Sequence, residues 1–363
     1  MKRYESEAVT VYIGTYTSQL LHVDGKSRGI HTCRFDSSTG ELISVEVTPG
    51  IVNPSYLTLD PECRTLYATQ ETDYAQDPAL FAYRVDPASH GLQYLNHQPA
   101  HGSLPCHVAT DQTGRFVVVA NYGSGSVPVY PVLEDGSLGP ASQILQHQGS
   151  SVDRERQEGP HAHAAVFDQE NRYVFVADLG LDKVMVYAFD PEKGALSPHD
   201  PPSAPLHPGA GPRHLAFHPS GRFCFVINEL DTTLTLFAYD RGVFTSLQTL
   251  STLPPGSYPG SSCAAIRVSP SGRFVYGSNR GHDSVAIFSF DEATASLAPV
   301  GHEPTLGQTP RDFAIDPTGT FLLAANQDSD TVVTFRIDEN TGRLQPTGHV
   351  AEVPSPVCLT FFP

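Results

Sequence analysis

The strongest constraint on the fold is a unit of about 50 residues that recurs along the chain. Each unit opens with a short apolar strand, turns, and continues with a second apolar strand such as FCFVINE (223–229). Third and fourth strands follow in the same order. The first strands are PSYLTLDP (54–61), PCHVATDQ (105–112), AHAAVFDQ (162–169), PRHLAFHP (212–219), CAAIRVSP (263–270), PRDFAIDP (310–317) and PVCLTFFP (356–363).

Four short strands per unit are typical of a β-propeller. The two chain ends support this interpretation, because VYIGTYT (11–17) is a second strand without a first, and 356–363 is a first strand without a second. Joined, they complete a seventh unit and close the ring. The sequence therefore predicts an all-β, seven-bladed β-propeller. It has four antiparallel strands per blade, is closed by pairing of the N- and C-terminal strands, and forms a single domain over 1–363. An open β-solenoid is the alternative, and it requires capping units at both ends.

Composition narrows the class of partner. The formal net charge of -17 argues against nucleic-acid binding, which needs clustered basic surface. No apolar run is long enough for a membrane span, and MKRYESEAVT (1–10) lacks the apolar region of a signal peptide. The 6 cysteines are scattered, mostly in apolar strands, as expected of buried thiols in a reducing compartment. We expect a cytoplasmic protein that binds neither nucleic acid nor membrane; its oligomeric state stays open.

In a propeller, the start of each first strand and the end of each second strand lie around the same channel mouth. Residues that depart from their counterparts in other blades are the better functional candidates there. One aligned position holds Ser55, Cys106, His163, Arg213, Ala264, Arg311 and Val357. The other aligned position holds Thr17, Glu71, Tyr122, Leu179, Glu229, Arg280 and Gln327.

Because antiparallel strands bring their outer ends together, Arg213 and Glu229 are expected to meet at this mouth. An arginine cluster in an acidic protein indicates an anionic ligand, and a glutamate beside a histidine supplies a general base and acid. The catalytic candidates are Glu229, His163, His161 and Arg213, and the substrate-binding candidates are Arg280, Arg311, Glu71, His107 and Asn326. Asn326 belongs to a row of amides that recurs in most blades, which also favours a role inside the blade.

Simpler interpretations stay open for parts of this cluster. Arg213 and Glu229 also fit a stabilising ion pair. His161 and His163 have the spacing of a metal pair on a strand, but no third ligand is evident, so we expect neither metal nor cofactor. The run SSVDRERQEG (150–159) interrupts the repeat just before them, and it fits either a flap over the site or a solvated loop.

The ordered motifs GTYT, EGPHAHA, GPRHLAFHPSGRF, NEL, SNRGHDS, TPRDFAIDPTG and AANQDSDT cover essentially the whole chain. This series resembles the seven-bladed propeller lactonase family, which includes the propeller type of 6-phosphogluconolactonase and the fungal 3-carboxy-cis,cis-muconate cyclase. The resemblance implies an active site of His161 or His163 with Arg213, Glu229 and Arg280, while Arg311 matches the last TPR motif. Thr320 replaces the usual turn arginine, on the opposite face.

The implied reaction is hydrolysis of a small anionic lactone, foremost 6-phosphogluconolactone. In that hypothesis Arg213, Arg280 and Arg311 hold the phosphate and polarise the carbonyl. Glu229 activates water, and His163 assists proton transfer to the ring oxygen. The alternatives are a cycloisomerase of a carboxymuconate-type lactone, a metal-dependent propeller lactonase, and a non-catalytic propeller that binds peptides or anions.

Overall fold

The computed structural model describes residues 8–20, 23–256 and 258–362. Its strands form seven sheets of four antiparallel strands, which confirms the predicted seven-bladed β-propeller. A short hairpin, Gln19–Leu20 with Val23–Asp24, and two 3-10 helices, Tyr74–Gln76 and Leu179–Leu181, lie between strands. Residues 1–7, on which the expectation about a signal peptide rests, lie outside the described residues.

We number the blades along the chain, and give the strands of each blade from the channel outwards. Blade 1 consists of Pro356–Phe361, Ala8–Thr15, Gly29–Asp36 and Leu42–Pro49. Blade 2 consists of Leu57–Leu59, Thr65–Gln70, Ala79–Val85 and Leu92–Pro99. Blade 3 consists of Pro105–Thr110, Phe116–Asn121, Ser126–Pro131 and Gln143–Gln146. Blades 4 and 5 consist of Ala162–Phe167, Tyr173–Asp178, Lys183–Asp190 and Ala195–Pro205; and of Pro212–Phe217, Phe223–Asn228, Thr233–Asp240 and Val243–Ser251. Blades 6 and 7 consist of Ser262–Val268, Phe274–Arg280, Ser284–Asp291 and Ser296–Pro304; and of Pro310–Ile315, Phe321–Asn326, Thr331–Ile337 and Leu344–Glu352.

Blade 1 closes the ring, because the C-terminal strand pairs with the N-terminal strand inside one sheet. Val11 faces Phe361 and Ile13 faces Leu359 in an antiparallel register. The hydrophobic core is divided in the same circular way. Seven clusters each combine apolar side chains from two neighbouring blades, including blades 7 and 1. Every sheet is therefore covered on both faces by its neighbours.

This packing explains the apolar second strands. FVVVAN, FCFVIN and FLLAAN are buried at every position, since both faces of an inner strand contact another blade. The fourth strands instead alternate between exposed and partly buried residues, as expected at the outer edge of a sheet. Ionisable side chains on the inner strands are thus placed in a protein interior, except where the channel opens.

The turns between first and second strands lie at the opposite end of the inner strands from the candidate site. The Asp111 carboxylate accepts the Phe116 N–H at 2.9 Å, which fixes the start of the second strand. Arg222 reaches Glu292 of the next blade at 2.7 Å. Arg115 and Arg273 likewise contact the next blade. Arg64 and Arg172 instead pair with Glu62 and Glu170 of their own turns.

All six cysteines have free thiols, and five of them are buried. Within the described residues, no helix has the length and apolar character needed to cross a membrane.

Candidate active site

A β-bulge at the start of the first strand sets the direction of the side chains at the channel mouth. In blade 5 the pairing skips from Pro212 to His214 against consecutive residues of the second strand, so Arg213 is the extra residue. The same shift makes His163 the extra residue in blade 4 and Arg311 in blade 7. A bulge breaks the alternation of side chains and re-aims the extra residue. The aligned position found in the sequence is therefore the bulge position.

Because of the bulge, two consecutive residues of blade 5 reach the centre of the ring. Arg213 Nη1 lies 3.4 Å from Nε2 of His214, and the His214 ring lies 5.4 Å from the ring of His163. A regular strand sends consecutive side chains to opposite faces. His214 was missed at the sequence level for this reason.

Glu229 follows the second strand of blade 5, and its carboxylate contacts three guanidinium groups. Oε2 lies 2.9 Å from Arg213 Nε and 2.9 Å from Arg280 Nη2. Oε1 lies 2.6 Å from Nη2 of Arg156. Only 4% of Glu229 and 2% of Arg213 is exposed, so these charges interact in a desolvated environment. The hairpin thus brings its two charged ends together in the interior of the channel mouth.

Two of these arginines are also fixed by backbone carbonyls of blade 6. Arg213 Nη1 donates to Ala264 O at 2.6 Å, and Arg280 Nη2 donates to Cys263 O at 2.8 Å. Each guanidinium is held between a carbonyl and the same carboxylate. Arg213 and Arg280 therefore have a defined orientation, which an electrostatic role in catalysis requires.

The charge balance of the cluster favours an ionised glutamate. Burial alone raises the pKa of Glu229, but the charges of Arg280, Arg213 and Arg156 hold it well below its usual value. Burial, with Arg280 and Arg311 nearby, lowers the pKa of Arg213 to about 10, which leaves it charged at neutral pH. A carboxylate whose pKa is lowered in this way is a weaker base than a free one.

His163 is the neutral member of the cluster. Burial and the charge of Arg213 hold its pKa well below the usual value, so the ring is unprotonated at neutral pH. Nδ1 lies 3.7 Å from Cys106 Sγ, and the ring packs edge-on against Tyr122 with 5.5 Å between centroids. An unprotonated imidazole accepts a proton. The lowered pKa makes His163, like Glu229, a weaker base than the free group. His163 lines a small cavity at the channel mouth and Glu229 does not, so geometry favours His163 as the proton acceptor.

A second cluster of polar and charged side chains lies beside the cluster around Glu229. The Tyr16 hydroxyl donates to Glu71 Oε2 at 3.0 Å, and the Arg311 guanidinium lies over the Tyr16 ring, 5.3 Å from its centroid. Within the described part of the chain, no carboxylate oxygen lies within 4 Å of the Arg311 guanidinium nitrogens. Burial lowers the pKa of Arg311, but Tyr16 and Glu71 more than compensate and raise it. Arg311 therefore keeps donors for an incoming anion.

A small cavity joins the two groups, with a volume of about 10 Å³. Its lining includes His163, Arg213, Glu71 and Arg311. Space of this size with several polar neighbours fits one water molecule. A ligand larger than a water molecule does not fit in this space.

Two of the predicted substrate-binding residues lie elsewhere. His107 lies in the channel with its ring 4.1 Å from the Tyr56 ring and tilted by 30° to it, and burial together with nearby arginines lowers its pKa to about 3. Asn326 is fully buried, and its Nδ2 donates to Thr305 O at 3.2 Å. The structure thus does not bring Asn326 into the cluster, because its amide is hydrogen-bonded to the loop between blades 6 and 7.

His161 and His163 diverge in spite of their close spacing. Nδ1 of His161 lies 2.8 Å from Tyr122 O, Nε2 lies 3.2 Å from Glu158, and the ring stacks on Tyr122. His161 therefore faces the loop rather than the cavity. Within the described ranges, no group of three or more His, Cys, Asp or Glu side chains is arranged to hold a metal ion.

The loop between blades 3 and 4 contributes a residue that sequence reasoning missed. Arg156 belongs to the run 150–159 and contacts Glu229, and its Nη2 also donates to the Tyr122 hydroxyl at 3.2 Å. The run is therefore part of the channel mouth. Its charged composition and its place before His161 were visible in the sequence, but no other blade offers a counterpart with which to align it.

The fold and this cluster place the chain in the class of closed seven-bladed propellers. The family model described as Lactonase, 7-bladed beta-propeller matches residues 10–361. A 6-phosphogluconolactonase of Bacillus subtilis is 39% identical over 352 residues, covering 96% of this chain and 97% of the relative. The chain therefore belongs to the seven-bladed β-propeller lactonase family, and is a lactonase, a carboxylic-ester hydrolase.

Solved structures agree with this assignment. A putative 6-phosphogluconolactonase from Bacteroides fragilis superposes with a TM-score of 0.92 at 35% identity, covering 100% of both chains. A periplasmic gluconolactonase of Pseudomonas aeruginosa has the same TM-score and 35% identity, covering 98% of this chain and 99% of that one. The names of these relatives differ in whether the lactone is phosphorylated.

Proposed function

We propose that this chain hydrolyses 6-phosphogluconolactone to 6-phosphogluconate at the arginine-rich channel mouth. The observation that carries the proposal is the Glu229 carboxylate in contact with three guanidiniums, next to the unprotonated His163. The names of the Bacillus subtilis and Bacteroides fragilis relatives support the phosphorylated substrate.

The first step is attack of water on the lactone carbonyl carbon. The small cavity beside His163 and Arg213 accommodates the water. His163 lines this cavity and is unprotonated at neutral pH, so it takes one proton from the water as the new C–O bond forms.

Negative charge then develops on the former carbonyl oxygen. Arg213 and Arg280 are held in fixed orientations by Ala264 and Cys263, and stabilise this oxyanion without reorganisation of the site. The negative charge of Glu229 holds the two guanidiniums in place and stabilises the protonated form of His163. In this scheme Glu229 is the electrostatic partner, and it does not itself remove the proton.

Collapse of the tetrahedral intermediate breaks the bond between the carbonyl carbon and the ring oxygen. His163 returns its proton to that oxygen, which leaves as a hydroxyl group. The new carboxylic acid releases the second proton of the water to solvent, so atoms and charges balance.

The test compares 6-phosphogluconolactone with glucono-1,5-lactone, each corrected for spontaneous opening. We expect catalysed hydrolysis of both, with kcat/KM higher by at least about tenfold for the phosphorylated lactone. Turnover no faster than the spontaneous reaction contradicts the proposal, and binding without turnover favours the non-catalytic alternative. Offered a carboxymuconate-type lactone, a cycloisomerase gives a product of unchanged mass, whereas hydrolysis adds one water.

A cytoplasmic location stays a prediction from the sequence. Cell fractionation of the native host with periplasmic and cytoplasmic markers tests it, and recovery with the periplasmic marker contradicts it.

A further inference from the structure

Arg156 differs from the other arginines on Glu229 in its exposure. Its side chain is 42% exposed, compared with 3% for Arg213 and 16% for Arg280. Both of its hydrogen bonds, to Glu229 and to Tyr122, use the single nitrogen Nη2. In the described residues, Nη1 and Nε have no acceptor. Two donor positions thus remain on the solvent side of the cluster.

The loop that carries Arg156 is anchored to the body of the protein. The Asp153 carboxylate accepts the N–H groups of Glu155 and Arg156 at 2.9 and 3.1 Å. Gln157 is fully buried, and its Nε2 donates to Asp182 Oδ1 at 2.7 Å. These bonds hold the backbone on either side of Arg156. The guanidinium is therefore pre-organised, which lowers the entropic cost of binding a ligand.

The charges of the cluster do not cancel. Three guanidiniums, those of Arg156, Arg213 and Arg280, share the single carboxylate of Glu229. His163 is neutral, and Glu158 of the same loop faces His161 instead. Two positive charges are left in excess at the mouth of a channel in a chain of net charge -17. A phosphomonoester, with a charge of about -1.5 to -2, matches this excess.

We propose that Arg156 is the specificity-determining residue that recognises the phosphate of the substrate. This inference rests on the function proposed above, and refines it. Arg213 and Arg280 already donate to backbone carbonyls and to Glu229, which leaves them fewer donors than Arg156 for a distal phosphate. Arg156 presents its open donors at the rim, and forms charge-assisted hydrogen bonds with the distal phosphate oxygens.

The experiment replaces Arg156 by Met or Lys and measures kcat/KM for 6-phosphogluconolactone and glucono-1,5-lactone. Arg154→Met is the matched control, because it removes an exposed arginine from the same loop without any ion pair to the cluster. In Arg156→Met, we expect kcat/KM for the phosphorylated lactone to fall about 10- to 100-fold more than for the unphosphorylated one. Arg156→Lys keeps the positive charge but loses the forked donors of the guanidinium. Its selective loss of kcat/KM should lie between those of the unmodified protein and Arg156→Met.

Equal losses on both lactones overturn the inference, because they show that Arg156 only maintains Glu229. An unchanged kcat/KM for both lactones overturns it as well. So does an equal change in the ratio of the two kcat/KM values in Arg154→Met. If the unmodified protein hydrolyses neither lactone, the proposed function fails separately. Calorimetric binding of 6-phosphogluconate and gluconate then still tests Arg156: weaker binding of the phosphorylated acid alone supports a phosphate site, and unchanged binding overturns it.

Discussion

Nε of Arg213 lies 2.9 Å from Oε2 of Glu229, and the two residues stand at the outer ends of one hairpin. The β-bulge turns Arg213 towards the channel, and Arg280 and Arg156 approach the same carboxylate from blade 6 and from the loop before blade 4. One carboxylate thus holds guanidiniums that are remote in the chain. This arrangement leads to four predictions beyond the test of Arg156.

Glu229→Gln keeps the shape of the side chain but removes its charge, so Arg213 is left buried without an anion. We expect a loss of about 3–5 kcal/mol in the free energy of unfolding, measured with urea, and at least about a hundredfold loss of kcat. Glu292→Gln, which removes the exposed partner of Arg222 on the opposite face, is the control and should leave both quantities close to those of the unmodified protein. Full stability in Glu229→Gln contradicts the buried cluster.

His163 and His161 are expected to respond differently to substitution. His163→Gln removes the proton acceptor beside the cavity, and should lower kcat by about 10²- to 10⁴-fold while 6-phosphogluconate still binds. His161→Gln alters only the contact with the loop, and should lower kcat by less than about tenfold. Steady-state kinetics and calorimetry check both. Similar losses in the two variants mean that His163 is not the base.

Stability should depend on pH through buried histidines whose pKa is lowered, which are His31, His107, His163, His214 and His218. Burial holds the pKa of His107 at about 3, and those of His163 and His214 well below the usual value. The unfolded chain binds protons on all three below its own pKa of about 6.5, so unfolding is favoured as pH falls. Near pH 5.5 these three histidines alone should lower the free energy of unfolding by about 4 kcal/mol per pH unit.

His107→Phe removes one of these protons, and should reduce the slope by about 1.3 kcal/mol per pH unit. His97→Gln serves as the control because His97 is exposed. Urea titrations between pH 5 and 8 give the slopes. A slope that does not change in His107→Phe contradicts the buried, neutral state of this ring.

Arg311 should contribute to substrate binding. Among the described residues no carboxylate pairs with it, so its donors are available to an anion. Arg311→Gln should raise KM for 6-phosphogluconolactone by about tenfold, with a smaller effect on kcat. Arg115→Gln, on the turn face, is the control and should leave KM unchanged. A loss confined to kcat instead places Arg311 at the reacting carbonyl.

The sequence by itself determined the seven blades and the closure of the ring, because each blade repeats the same apolar pattern and the two ends are complementary. It also placed Arg213 beside Glu229, since the ends of a hairpin must meet. The aligned positions brought out His163, Arg280 and Arg311, which differ from their counterparts in other blades.

Only the tertiary structure decided which of these groups share one pocket and in what charge state. The bulge decided that His163 faces the cavity while His161 faces the loop, and a register shift of one residue is not visible in apolar periodicity. Arg156 has no aligned counterpart, so only the folded path of its loop brings it to Glu229. The number of guanidiniums around that carboxylate sets its pKa, and this number depends on contacts between remote blades.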